Sequence, residues 1–364
     1  MKKQLMTTTA LVAAGVIAVS GAALGASKPK LKIGGYFEAI VDMSEQDEAG
    51  HITTDTHQDS EVHFKGSVKL DNGLKITTRV ELEGQAPGTG TTIDEAYMNI
   101  SGGFGSIRLG SEDAVPNLMV TRNSGSWATN VGQNTNFDVG DWVETPSGHR
   151  ASTVQRLDIG NGDSEKISYF TPRRGGFQVG LSYIPSFNQG NNGDTELESA
   201  GHHTGVAVAV SYGGKFGGAK IGAAAGYMQA ESSTSSNSDL SGLAMGIKAT
   251  VGKITVAFGT GREKDINPAS ATSATQGNSY VDFGFKYDLG KDKFSVGYLA
   301  SEDDASTAAG KDETQVAMAS YRREMGPGVQ YRLNLMYGDY EGEAAGASDD
   351  NSGYAITTSI RLAF

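Results

Sequence analysis

From Leu31 onward the chain consists of short runs in which apolar and polar residues alternate, and the connections between the runs alternate too, one short and the next long. The last run shows the pattern. Tyr354, Ile356, Thr358, Ile360, Leu362 and Phe364 share one face, while Ala355, Thr357, Ser359, Arg361 and Ala363 share the other. A period of two makes a strand with two unlike faces. About sixteen such runs follow one another, from Leu31–Met43 through Glu61–Leu70, Thr204–Tyr212 and Glu313–Arg323 to Gly353–Phe364. No segment after the first 26 residues offers the roughly 20 consecutive apolar residues that a membrane-spanning helix needs. Alternating runs in an even number, separated by turn residues, instead predict an antiparallel β-barrel that crosses a membrane.

Turn chemistry supports the same reading. Asp71–Gly73, Ser101–Gly105, Arg173–Gly176, Gly213–Gly218, Val251–Lys253, Leu289–Asp292 and Glu324–Gly328 are tight and carry the glycines that supply the positive φ of hairpin turns. The intervening connections are long, polar and acidic, such as "EKDINPASATSATQGN" and "EGEAAGASDDN". Short turns on one rim and long loops on the other suit an outer-membrane barrel, with the turns in the periplasm and the loops outside. A soluble sandwich has no reason to keep that alternation through seven hairpins.

Residues 1–26 open with two lysines, continue with an apolar stretch of about a dozen residues and end on small residues, which reads as a cleaved secretory signal peptide. Residues 27–364 are then expected to form one exported barrel. Losing Lys2 and Lys3 takes the formal charge from −12 to −14, an acidity that argues against nucleic acid as a partner. Cysteine is absent, so neither disulfides nor thiol chemistry contribute. The chain stops on Phe364. About ten residues separate it from Tyr354, so both aromatics fall at membrane interfaces and Phe364 closes the barrel against the first strand.

One connection breaks the pattern. About fifty residues lie between the runs ending near Ser111 and starting near Lys166, far beyond ordinary loop lengths. This third long loop, residues 112–165, holds Trp127, Trp142, Phe137, Leu118, Met119 and Val120, enough apolar surface to order against a wall. Sixteen strands enclose a lumen that side chains cannot fill, and a loop with apolar anchors is what can narrow it. The loop groups Asp138, Asp141 and Glu144 near Trp142. On the early strands, placing Val62, Phe64, Val68, Leu74, Ile76 and Val80 in lipid turns Lys65, Lys69, Lys75 and Arg79 inward. Ile107 and Leu109 do the same for Arg108, and Leu362 for Arg361. Lys32, Lys69 and Lys75 lie close to the short turns and belong to the periplasmic mouth, which leaves Lys65, Arg79, Arg108 and Arg361 as the pore-wall basic set.

The opening strand "LKIGGYFEAIVDM", the hairpin "VKLDNGLKITTRVELEG", the stretch "DEAYMNISGGFGSIRLGSEDA" and the terminal "IRLAF", together with the signal peptide, resemble the general diffusion porins of Gram-negative bacteria, most of all the α-proteobacterial ones. The resemblance covers essentially the whole mature chain. It implies a homotrimer in the outer membrane, surrounded by lipid and lipopolysaccharide, with the third loop folded inward as the pore constriction. It also implies that loop acids face the basic wall, so that a transverse field filters solutes by size and dipole. The short acidic motif of enterobacterial third loops has no residue-for-residue match here. The function so implied is passive, largely non-specific diffusion of small hydrophilic solutes and ions. Two alternatives stand beside it: a substrate-selective, sugar-type channel, for which inward aromatics are few (Tyr36 and Tyr97), and a surface barrel with no transport role.

Other chemistry finds little support. The histidines are His51, His57, His63, His149, His202 and His203, and no two share a strand at a spacing of two, so no metal centre and no cofactor are expected. Acid pairs in outer loops, Asp303–Asp304 and Asp349–Asp350, offer oxygen ligands for a divalent cation. "GGFGS" lacks the following helix that a nucleotide loop requires. A barrel lipase needs a lipid-facing histidine, and none has that parity; no enzyme activity is expected.

Overall fold

The computed structural model describes residues 28–48, 50–84, 93–132, 139–151, 162–187, 202–232, 239–264, 277–303, 310–342 and 350–364. Residues 1–26, read above as a signal peptide, lie outside these. Sixteen strands are present: β1 Lys30–Gln46, β2 Thr54–Lys69, β3 Lys75–Glu83, β4 Ile93–Gly102, β5 Gly105–Ser111, β6 Glu165–Phe170, β7 Phe177–Ser186, β8 His202–Phe216, β9 Ala219–Ser232, β10 Leu240–Val251, β11 Ile254–Lys264, β12 Gly277–Asp288, β13 Asp292–Asp303, β14 Asp312–Gly326, β15 Val329–Glu341 and β16 Asn351–Ala363. Each pairs with its neighbours in the chain, and β16 pairs antiparallel with β1, closing the barrel. At the seam Phe364 exchanges both backbone hydrogen bonds with Gly35, each 3.0 Å. The terminal residue is thus held as a strand member, its ring 65% exposed on the outer face.

Several strands reach further toward the long-loop rim than the alternation indicates. β2 begins at Thr54 rather than near Glu61, and β8 runs from His202 to Phe216 rather than from Thr204 to Tyr212. Beyond the lipid belt both strand faces are polar, so the period fades while the backbone ladder continues. At the other rim the turns are tight. Gly217 and Gly218, with φ of +53° and +88°, supply the two positive-φ positions of a two-residue hairpin turn between β8 and β9.

The two faces of the sheet differ as the alternation demands. Phe37, Val41, Met43, Phe258, Phe283, Leu335, Ile356 and Ile360 stand exposed on the outside, an apolar belt far larger than a water-soluble surface tolerates. On β1 the intervening Glu38, Ile40, Asp42 and Ser44 are buried toward the lumen.

The third long loop is seated on the inner side of the wall. It contains α1 (Val115–Val120), with a proline in its first turn, and α2 (Gly125–Thr129). Ala114, Val115 and Met119 pack with the inward-facing Ile184, Ala207, Ala209 and Met228 of β7–β9. Val139 and Val143 pack with Leu299, Val316, Met318, Met336 and Tyr340 of β13–β15, with Trp142 against the cluster. Inward glycines make the seat possible: a Cβ on Gly226 would lie 2.7 Å from Cβ of Pro116, one on Gly246 2.6 Å from Cβ of Ser124, and one on Gly284 2.3 Å from the carbonyl oxygen of Gly125. Trp127, expected as a wall anchor, is half-buried. The residues of α2 buried against the wall are Gly125, Ser126 and Thr129, small enough for close approach.

Candidate functional site in the barrel lumen

Hydrogen bonds fix the loop to the wall along its length. Val115 N–H donates to Ser182 Oγ (3.0 Å), Ser126 donates through N–H and Oγ to Asp282 Oδ2 (3.0 and 3.1 Å), and Val131 N–H donates to Ser295 Oγ (3.1 Å). Further on, Tyr340 Oη donates to the carbonyl of Val143 (3.2 Å), and Arg150 N–H to Asp312 Oδ2 (2.7 Å). Asp282 is 2% exposed and carries two of these bonds, so it is the main polar pin of α2.

Among the described residues, the predicted loop acids Asp141 and Glu144 do not face the predicted basic set. Asp138 lies outside the described residues. Glu144 is fixed at the long-loop rim, its N–H donating to Gln46 Oε1 (2.8 Å) and its carbonyl accepting from Asn351 Nδ2 (2.7 Å). Asp141 lies beside His57, whose Nε2 is 3.1 Å from Asp42 Oδ1 and whose ring meets Trp142 edge-on at 5.2 Å. Arg361 is level with Glu38 on β1, four residues below Asp42 and eight below Gln46. At the rise of a strand those offsets are about 13 and 26 Å. Asp141 and Glu144 therefore sit above Arg361, because the apolar Val139–Val143 segment docks near the ends of β13–β15.

The basic residues do lie on the inward face, but Arg361 and Arg79 are paired with wall carboxylates and Arg108 with Glu112 at the start of the loop. Arg361 lies 3.4 Å from the centre of the Tyr36 ring and 3.3 Å from Glu38 Oε2. Glu38, fully buried, also takes Arg332 (3.2 Å) and Ser359 Oγ (2.5 Å). Arg108 pairs with Glu112 and stands 4.5 Å from the Tyr97 ring centre; Arg79 pairs with Glu81. Lys65 is exposed to the lumen, in register between Lys32 and Arg79. Glu38 and Arg332 are the residues the sequence reading missed. Their signal was available: Glu38 alternates with Phe37 and Ala39, and Arg332 lies between Tyr331 and Leu333 on β15.

A second basic group lies on the loop's own side. Lys248 of β10 and Lys286 of β12 face inward on the short-turn side of the glycine seats, and Lys248 Nζ donates to the carbonyl of Arg122 in the loop. Lys293 and Arg322 continue the band across β13 and β14 in register, each near Glu324. Among the described residues, Arg122, Lys248 and Lys286 form no ion pair, while Glu112, Asp113 and Arg122 are the charges of the loop between 112 and 132. Tyr280 and Tyr340 also point inward, yet both are buried beneath the loop and offer no aromatic track to a passing solute. Of the outer-loop acid pairs, Asp304 and Asp349 lie outside the described residues.

Comparison with known proteins agrees with this architecture. The sequence model of the Gram-negative porin family matches residues 7–345. Outer membrane porin protein 32 of Delftia acidovorans is 29% identical over 212 residues, 56% of this chain and 56% of that protein. The major outer membrane protein P.IB of Neisseria gonorrhoeae is 27% identical over 138 residues, 37% of this chain and 35% of that protein. The aligned stretches thus span about a third to just over half of these curated relatives. Among solved structures, the anion-selective porin from Comamonas acidovorans superposes with a TM-score of 0.65 at 17% identity, over 93% of this chain and 100% of that one. The trimer form of OmpT of Vibrio cholerae gives 0.63 at 12% identity over 93% and 100%. Identities this low speak for the fold, and the sequence match carries the rest. A family match that begins before β1 and ends within the last loop, on a closed barrel with an apolar outer belt, admits one assignment: the chain belongs to the Gram-negative porin family and is integral to the outer membrane.

Proposed function

We propose that the barrel is a passive diffusion channel for small hydrophilic solutes, with a preference for anions where the third loop narrows the lumen. The observation that carries this reading is the seating of residues 115–131 on the inner wall, with Arg122, Lys248 and Lys286 beside one another there and no ion-paired carboxylate among the described residues. Across the lumen the arginines of β3, β5, β15 and β16 are ion-paired with Glu81, Glu112 and Glu38, so those cations add little to the attraction of anions. A narrow, water-filled passage focuses the field of unmatched charge, and rings of Arg and Lys favour anions. The acidic outer loops raise local cation concentration at the mouth, but charge there is screened within about 8 Å at physiological salt. Size exclusion and this field act on solutes generally, with no stacked aromatic path for one sugar class. In this reading the protein carries out no catalysis. It assembles as a homotrimer, a proposal that the likeness to a barrel solved in trimer form supports.

Planar-bilayer recording of the purified protein under a salt gradient tests the proposal. Current steps grouped in threes, with a reversal potential of anion sign, are expected. A reversal potential of cation sign overturns the selectivity; no steps from folded, heat-modifiable protein overturn the channel.

A further inference from the structure

Away from the loop, on the lumen face of β2 and β3, Glu61, His63 and Glu81 converge. Glu61 and His63 are two apart on β2 and so share a face; His63 is the direct cross-strand partner of Glu81 on β3. His63 Nε2 is 2.6 Å from Glu61 Oε2 and 3.8 Å from Glu81 Oε1, and one ligand atom from each residue lies within 4.8 Å of the others. All three side chains are largely buried in the wall, and Glu81 is 4% exposed.

We propose that this set binds a divalent transition metal, zinc in preference to magnesium or calcium. Three observations carry the inference. The donors are one imidazole nitrogen and two carboxylates, a mixture that suits zinc, whereas magnesium and calcium take oxygen ligands and gain nothing from imidazole. Ligand atoms bound at about 2.0–2.2 Å from one zinc ion stand roughly 3.3 Å apart, a spacing that side-chain rotation within this trio reaches. Oε1 of Glu81, buried and ion-paired with Arg79, is also the Glu81 oxygen nearest His63, so a second carboxylate stands inside the wall beside the imidazole.

The surrounding charge works in the same direction. Glu83 and Asp94 form a second trio with Glu61, and Tyr36 Oη donates to both Asp59 Oδ1 and Glu61 Oε1 (each 3.0 Å), leaving the other Glu61 oxygen toward His63. Asp59, Glu61, Glu81, Glu83 and Asp94 are opposed on this patch by Arg79 and by His63 when protonated; Lys65 lies one row nearer the short turns. A divalent ion held by His63 would place two positive charges among these carboxylates. Arg79 has Asp94 and Glu95 as further carboxylates near it.

Calorimetric titration of detergent-solubilised, chelator-free full-length protein with zinc chloride near neutral pH tests the site, and it does so whether or not the barrel conducts. One saturable zinc site per chain is expected, with no comparable heat from magnesium or calcium. His63→Ala and Glu81→Gln should each weaken zinc binding by at least about tenfold, since losing a ligand costs no less than losing a group behind one. Glu302→Gln, in an exposed pair with Lys311, should leave it unchanged. If His63→Ala fails to fold, Glu81→Gln and the visible absorption of cobalt-loaded wild-type protein, displaced by zinc, give the same readout. Absence of zinc heat, equal binding of magnesium, or zinc binding indifferent to both variants overturns the site and leaves His63 as a wall residue hydrogen-bonded to Glu61.

Discussion

The two sides of the lumen answer the same problem, an inward strand face with no core to fill it, in opposite ways. The wall from β15 through β16 to β5 keeps a polar inward face and pairs its arginines locally, Arg332 and Arg361 on Glu38, Arg79 on Glu81, Arg108 on Glu112. The wall from β7 to β13 has inward glycines, alanines and aliphatic residues, and covers them with the third loop. Ion pairs buried in the wall are stiff and, each taken as a pair, electrically quiet. A covered wall gives the loop a fixed seat and leaves the cations at its edge without ion-paired carboxylates among the described residues. The asymmetry of the pore follows from where the glycines are as much as from where the charges are.

The largest effect should come from breaking the balanced side. Removing the carboxylate in Glu38→Ala strands Arg332, whose side chain is 8% exposed, and breaking a buried pair in this way costs about 3–5 kcal/mol. Expected is a lower heat-modification temperature of the folded band, with the seam of β16, β1 and β15 opening first. The double variant Glu38→Gln with Arg332→Met should recover most of the loss, because it strands no fully buried charge and the remaining Arg361, 22% exposed, keeps access to water. A double variant as unstable as Glu38→Ala would show that the pair is not the source of the stability.

Next in size is the covered side. Gly284→Leu places a side chain where the carbonyl of Gly125 lies, and overpacking of this kind costs about 1–3 kcal/mol. The barrel ladder does not depend on the loop, so the cost should fall on the seat: a noisier and larger conductance and faster cleavage within residues 112–165 by added protease. Ser67→Val, inward on β2 and away from the loop, should change neither. Equal effects at both positions would remove the distinction between a covered and an open wall.

These comparisons also mark what could be read in advance. The barrel was legible because lipid imposes a period of two on every strand and a membrane imposes alternating turn lengths, and Arg79, Arg108 and Arg361 inherited their inward direction from that period. The covered wall was less legible. Ile184, Met228, Leu299 and Met336 are inward and apolar, so strands carrying them have two apolar faces over part of their length and the polar half of the signal disappears. The seat glycines read as strand interruptions until a loop is placed against them. The positions of Asp141 and Glu144 depended on where an irregular segment docks, and no periodicity encodes that. The Glu61–His63–Glu81 trio escaped because a search for histidine pairs on one strand does not see donors joined across two.

The smallest expected effect sharpens the electrostatic half of the comparison. Lys248→Gln removes one of the three cations beside the loop that have no ion-paired partner among the described residues; Arg79→Gln removes one that is paired with Glu81. A single charge acting on an ion about 8 Å away through water is worth roughly 0.5 kcal/mol, favourable to an anion and unfavourable to a cation, so the ratio of their permeabilities changes about five- to sixfold. Lys248→Gln should shift the reversal potential toward cations by that factor. Arg79→Gln exposes the charge of Glu81 as well as deleting its own, so its shift has the same sign, and its size reports how well that carboxylate is shielded by its other neighbours. The informative variant is Arg79→Gln with Glu81→Gln, which removes opposite charges together. If the wall is electrically quiet, this double variant should leave the reversal potential where the native protein has it, while Lys248→Gln does not. A large shift in the double variant, with none from Lys248→Gln, would place the selective charge on the open wall and reverse the roles assigned to the two sides.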